Sequence, residues 1–250
     1  MIHLLILGGT QEASALAKVV ADANLRAVLS YAGRVARPAR QPIPCRIGGF
    51  GGVEGLASYI QTNNITHVVD ATHPFATQMS RNAVLACAQT KTPLIALTRP
   101  QWKATEADRW RHVPDLEAAA KALQGPAQNV FLAVGRMHLD CFATQPQHRY
   151  LLRLVDAPHT PLPLPNATPV IARGPFDRAA DRALLQKHAI EIVVAKNAGG
   201  DGARAKIDAA RDLGLPVLMI DRPDLPQRHQ ATIPQQVLDW LAHCGTDRGV

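Results

Sequence analysis

Residues 3–22, HLLILGGTQEASALAKVVAD, join a short continuous apolar run to a glycine pair and then to apolar positions at helical spacing. An unbroken apolar run suits a strand buried on both faces of a parallel sheet, and the periodicity that follows suits an amphipathic helix. Outward from this β-turn-α unit the pattern recurs. RAVLSYAG is strand-like, a third strand is expected just before Gly48-Gly49-Phe50-Gly51-Gly52, and GVEGLASYIQTNN is helix-like. THVVDATHPF reads as a strand entering a turn, TQMSRNAVLACAQT as a helix and PLIALTRP as a further strand. Such alternation predicts an α/β protein with helices on both faces of a mainly parallel sheet.

The polar stretch Gln124-Gly125-Pro126-Ala127-Gln128-Asn129 carries the breakers of a linker, so domains are expected over 1–125 and 126–250. Past it, NVFLAVGR, RYLLRLV, TPVIARG, IEIVVAKNAGG and PVLMIDRP read as strands, with DRAADRALLQKH and ARAKIDAARDLG as helices. The segment from Ala157 to Pro169, APHTPLPLPNATP, is expected to be an extended loop, because its prolines oppose a helix and withhold donors from a central strand.

With 47% hydrophobic and 19% charged residues in 250, the chain has the composition of a globular protein. No apolar stretch reaches the roughly 18 residues needed to cross a bilayer, and the start MIHLLILGGT has no basic n-region. A cytoplasmic protein is expected, neither inserted in a membrane nor secreted. Cys45, Cys87, Cys141 and Cys244 form no CxxC pair, so neither a metal site nor a disulfide framework is suggested. A net charge of +7 attracts anions: nucleic acid, phosphate cofactors or a polycarboxylate. Aromatic residues at 4%, with no stacking motif, argue against nucleic acid and against a non-redox basic nucleotide-binding module. Arg26, Arg34, Arg37, Arg40 and Arg46 fall between Asp22 and Glu54 with no acid among them, as a solvated loop or an anion-binding lip.

Gly8-Gly9-Thr10-Gln11-Glu12-Ala13 follows a strand and opens a helix, the context of a dinucleotide-binding turn, although Thr10 replaces the second glycine of GxGxxG. Backbone N–H groups and the Thr10 hydroxyl can hold a phosphate there; a purely structural turn is the competing reading. The second strand ends in Ser30-Tyr31-Ala32-Gly33-Arg34, without the acid that binds a ribose 2′-hydroxyl. A hydroxyl and a guanidinium suit a 2′-phosphate, so NADPH is preferred over NADH unless Arg34 is only a surface residue. The four glycines around Phe50 let backbone approach a flat ligand, or form a plain loop. Thr72 and His73 precede a helix with Pro74 at its first turn, and His73 is either a proton donor or a structural histidine. Arg99, Arg136, Arg173 and Lys196 each lie at an expected strand end. Like charges gathered there repel unless an anion neutralises them, so they form a carboxylate or phosphate receptor or are independent surface positions.

The ordered set LILGGTQEA, SYAGR, GGFGG, DATHPFA, TRP with Trp102, VGR, and KNAGG with Lys206 downstream resembles the precorrin-6A reductases of cobalamin biosynthesis from Leu5 to about Pro223. The family motif reads KNSGG, so Ala198 lacks a hydroxyl present there. The resemblance implies two Rossmann-like domains with an inter-domain cleft, NADPH as hydride donor, no metal, and a tetrapyrrole polycarboxylate, precorrin-6A, reduced to precorrin-6B. The cobalt-containing substrate of the anaerobic route is the alternative, and contacts with neighbouring pathway enzymes are compatible with it. Cofactor contacts then fall on Gly8, Gly9, Thr10, Gln11, Glu12, Ser30, Tyr31, Gly33, Arg34, Gly49, Thr72 and His73. Substrate contacts fall on Arg99, Arg136, Arg173, Lys196, Asn197, Gly199, Gly200 and Lys206, with His73 and Lys196 as the candidates for proton delivery.

Overall fold

The computed structural model describes residues 1–33, 40–158 and 160–244. It contains two six-stranded, wholly parallel sheets. The first is built from β1 (His3–Leu7), α1 (Gln11–Asp22), β2 (Arg26–Tyr31), β3 (Cys45–Ile47), α2 (Gly52–Thr62), β4 (His67–Asp70), α3 (Thr77–Thr90) and β5 (Leu94–Leu97). The second holds β6 (Trp110–Val113), α4 (Leu116–Ala122), β7 (Asn129–Ala133), β8 (Arg149–Leu154), β9 (Ala167–Ile171), α5 (Arg178–Lys187), β10 (Ile192–Lys196), α6 (Ala205–Asp212) and β11 (Val217–Ile220). Two short 3-10 helices, Arg136–His138 and Asp140–Thr144, connect β7 to β8. The chain ends with β12 (His229–Ala231) and α7 (Pro234–Cys244).

The first sheet runs β3-β2-β1-β4-β5-β12, the doubly wound dinucleotide-binding order, which changes direction between β1 and β4. The second repeats it as β9-β8-β7-β10-β11-β6, with its switch between β7 and β10. The sixth place shows how the chain is threaded. After β5 the chain leaves and supplies β6 to the second sheet; after β11 it returns and supplies β12 to the first. The compact units are therefore Met1–Pro100 with Asp224–Val250, and Gln101–Pro223.

This corrects the single cut at 125. The breakers of 124–129 sit within the second unit, where Ala119 and Ala120 of α4 are buried, whereas the first crossing at Pro100–Gln101 has little composition to mark it. The expected strands and helices are present, and β6, α4, β12 and α7 are additions. The helix after DATHPFA begins at Thr77, so Pro74 lies in the preceding turn. The proline-rich segment is non-helical where described and runs into β9, an edge strand, where Pro169 withholds no donor from an interior ladder.

Side chains along β1 alternate between two cores. Leu4 and Ile6 pack with Leu16 and Val20 of α1 and Val237 and Leu241 of α7. Leu5 and Leu7 pack with Leu56 and Ile60 of α2 and Ala83 and Ala86 of α3. In the second unit Phe131, Val193, Val217 and Met219 pack against Leu185 of α5 and Ile207 of α6. Among the described residues no helix is long and apolar enough to cross a membrane.

Leu241→Ala should cost about 2–4 kcal/mol, the usual result of emptying a buried leucine site. Hydrogen exchange in the variant should accelerate in β1, β4 and β5, while β7 and β10 keep their protection. Acceleration confined to residues 224–244 would mean that the returning segment is not part of the first core.

Candidate active site

At the end of β1, the N–H of Gly8 donates to Ser30 O at 2.9 Å. A Cβ at residue 8 would lie 2.6 Å from Leu29 Cδ1 and 3.3 Å from Ala13 Cβ, so a side chain here would displace the buried Leu29 of β2 and press on the start of α1. Gly9 takes the positive φ of 119°. Thr10 caps α1, its Oγ1 accepting from Ala13 N at 3.1 Å and donating to Ala71 O at 2.7 Å. The hydroxyl expected to meet a phosphate is thus engaged within the chain. The N–H groups of the first helical turn, at Gln11 and Glu12, have no intrahelical acceptor, the arrangement by which a helix start can take an anion. Glu12 also pairs with Arg99, at 2.6 Å, so that arginine, expected to meet a substrate carboxylate, already has a carboxylate partner inside the first unit.

Ser30, buried at the end of β2, stands in register with Arg46 on β3. Arg46 Nη1 donates to Ser30 Oγ at 2.7 Å and to Gly48 O at 2.9 Å, and Nη2 donates to Gly49 O at 3.1 Å. Its guanidinium lies 3.9 Å from the Phe50 ring centroid and 5.2 Å from that of Tyr59. Tyr31 and Gly33 flank Ser30 at this edge, and Arg34 lies outside the described residues. The sequence marked Arg46 only as one of five arginines; the pairing register singles it out.

At the switch point Asp70 is buried and receives the Thr72 hydroxyl and the Ser80 hydroxyl, each at 2.6 Å, and Arg228 Nη2 at 3.2 Å. Arg228 comes from the returning C-terminal segment, and its Nε and Nη1 are buried with no hydrogen-bond acceptor. The composition of DATHPFA pointed to Thr72 and His73 but not to this network. His73 is exposed, and its Nδ1 accepts from Phe75 N at 3.2 Å, which in the neutral ring puts the proton on Nε2. Burial, reinforced by the nearby Asp70 charge, pushes the Cys87 thiol up to about 12, so it stays protonated and unreactive.

In the second unit Gly135 and Arg136 are exposed at the end of β7, and Lys196 is buried at the end of β10. These two ends flank that sheet's switch point. Arg173, after β9, is exposed and paired with Asp156 at 2.6 Å. Asn197 has a different task from the one expected. Its Oδ1 accepts from Trp102 N at 2.9 Å and its Nδ2 donates to Trp102 O at 3.0 Å, which engages its side-chain amide with backbone. Trp102 Nε1 donates to Gly200 O at 2.7 Å, and Lys206 Nζ donates to Ala203 O while lying 5.1 Å from the Trp102 ring centroid. Asn197 and Lys206 therefore hold the entering chain against the β10–α6 loop, in which Gly199 and Gly200 have φ of 70° and 66°. Among the described residues no group of three His, Cys, Asp or Glu side chains gathers to hold a metal ion.

Residues 3–242 match the family described as precorrin-6x reductase CbiJ/CobK. The chain is 58% identical to the precorrin-6A reductase of Rhodobacter capsulatus over the full length of both, and 44% identical to that of a Sinorhizobium species over 96% of this chain and 93% of the relative. A cobalt-precorrin-6A reductase of Priestia megaterium matches at 30% over 89% of this chain and 91% of its own. A solved structure titled CobK precorrin-6A reductase superposes with a TM-score of 0.93 at 58% identity, covering 97% of each chain.

With Trp110 and Trp240 replaced by phenylalanine, Asn197→Ala should red-shift the emission of Trp102 and raise its quenching by acrylamide. Stability should fall by about 1–3 kcal/mol, since two buried backbone groups lose their partners. Unchanged emission would show that the amide clamp does not hold Trp102.

Proposed function

The chain belongs to the precorrin-6x reductase family, and on that premise we propose that it is an NADPH-dependent precorrin-6A reductase of cobalamin biosynthesis, reducing one double bond of the macrocycle to give precorrin-6B. The observation that carries this reading is the full-length 58% identity to a precorrin-6A reductase, against 30% to a cobalt-precorrin-6A reductase. The donor set of the first unit fits a dinucleotide. Gly8 and Gly9 keep the turn bare of side chains, the first-turn N–H groups of α1 face its pyrophosphate, and Ser30 with Arg34 suits a 2′-phosphate. Thr72 and His73, which follow β4 beside β1 at the switch point, would border its nicotinamide end. When bound, NADPH supplies the hydride.

The remaining chemistry belongs to side chains and backbone. Arg136, Arg173 and Lys196 offer cations to the substrate's acetate and propionate groups, and Gly199 and Gly200 offer backbone. Arg173 must exchange Asp156 for its new partner. Arg99, Asn197 and Lys206 act instead as internal ties. Addition of hydride to a conjugated C=C/C=N system also requires a proton, which His73 Nε2–H or the Lys196 ammonium can deliver. The protein's main contribution is then positioning and exclusion of water.

Anaerobic incubation with NADPH and precorrin-6A should oxidise cofactor and shift the chromophore absorption in equal molar amounts, with slower turnover of the cobalt-containing substrate. NADPH oxidation without a chromophore change would overturn the reading. Arg136→Ala should weaken macrocycle binding about 10-fold, the order expected for a lost charge-assisted bond, while titration with NADPH alone stays unchanged.

A further inference from the structure

The arginines along the strand ends of the first unit are not equivalent. Arg99 is neutralised by Glu12 and Arg228 by Asp70. Arg46 is held just as firmly, yet every partner it has among the described residues is neutral: a hydroxyl, two backbone carbonyls and two aromatic faces. Holding a partly buried guanidinium in one place without a counter-ion is unfavourable, and an anion arriving from solution relieves it. Three of its five N–H groups are engaged, two on Nη1 and one on Nη2. One on Nε and one on Nη2 remain, bonds that a phosphate can accept together. Ser30 Oγ accepts from Arg46, and no described residue accepts the Ser30 proton, so the hydroxyl has a donor to offer beside the guanidinium. Both residues lie in register near the ends of β2 and β3, where a fold of this order receives the ribose substituent of a dinucleotide.

We propose that Arg46, with Ser30, is the principal receptor for the cofactor's 2′-phosphate and so determines the choice of NADPH over NADH. The assignment rests on the NADPH reading above and goes beyond it by naming the residue that makes the choice. Stacking on Phe50 and the bonds to Gly48 and Gly49 keep the guanidinium oriented before cofactor arrives, reducing the ordering cost of binding.

Dissociation constants for NADP⁺, NAD⁺, 2′,5′-ADP and 5′-AMP can be measured calorimetrically for the wild type, Arg46→Gln and Arg46→Lys, with melting curves to confirm folding. Arg46→Gln should weaken NADP⁺ and 2′,5′-ADP about 10- to 100-fold, the span of one to two charge-assisted bonds, and NAD⁺ and 5′-AMP no more than about 3-fold. Arg46→Lys should recover part of the selectivity. Equal losses for phosphorylated and unphosphorylated ligands would overturn the assignment and leave the NADPH reading standing. A wild type that does not distinguish NADP⁺ from NAD⁺ would overturn the NADPH reading and the assignment with it. A measurement without variants guards against misfolding. Phenylglyoxal labelling of the wild type, mapped by mass spectrometry, should show Arg46 protected by NADP⁺ and not by NAD⁺; equal labelling with both would overturn the assignment.

Discussion

A parallel strand at the edge of a sheet needs a neighbour delivered by a crossover, and in the first unit the neighbour of the fifth strand arrives only after the chain has passed through the second. β5 is covered by β12, so the first sheet has its sixth strand only through chain that returns from the second unit, whereas β11 is covered by β6 from within the continuous segment Gln101–Pro223. The first sheet meets the greater demand, because Ile95 pairs with His229 only after the entire second unit has been traversed. Pairing over that sequence distance raises contact order, which slows folding. The return is secured by more than one strand. Val237 and Leu241 complete the core around α1, and Arg228 buries its charge on Asp70.

The same threading positions the site. Parallel order sends every strand's C-terminal end to one edge of its sheet, so each unit collects its turns there whichever half of the chain supplied the strand. Collecting cations at those edges creates repulsion, and the protein relieves most of it internally. Glu12 neutralises Arg99, Asp70 neutralises Arg228, Asp156 faces Arg173, and buried Asp181 makes a bidentate pair with Arg153. Among the described residues at these edges, Arg46 on β3 in one unit and Arg136 after β7 in the other are cations with no carboxylate partner. The net charge of +7 is a poor guide to function until these internal pairs have been taken out of it.

What the sequence made legible follows from how local the physics is. The β1–α1 unit shows itself because Leu4 to Leu7 must be apolar on both faces and Ala13, Leu16, Ala17 and Val20 must share one. β6 and β12, four and three residues with polar side chains on the edges of sheets, have no such requirement, and their partners lie more than a hundred residues away. The domain boundary was misplaced for the same reason: Gln124–Asn129 carries turn residues because a turn is there, while the crossing at Pro100–Gln101 is defined by pairing. Asn197 read as a ligand-binding amide, since a polar side chain among glycines at a strand end must be satisfied by something. A stretch of backbone around Trp102, brought there by the crossing, satisfies it.

The departure from GxGxxG has a physical cause in this fold. A second glycine allows the closest approach to a pyrophosphate but offers no side chain, and the turn after β1 and the turn after β4 would then be joined through backbone alone. Thr10 joins them: one oxygen caps α1 through Ala13 N, and its proton reaches Ala71 O across the switch point. Ala71 directly follows Asp70, whose carboxylate orients Thr72 and Ser80. The turn proposed to receive phosphates and the turn that carries His73 are thereby coupled through one hydroxyl, and Gly9 takes over the unusual backbone angle. On the proposed cofactor reading, some closeness to a phosphate is exchanged for a fixed spacing between these two turns, which suits a reaction that depends on holding two large partners in register.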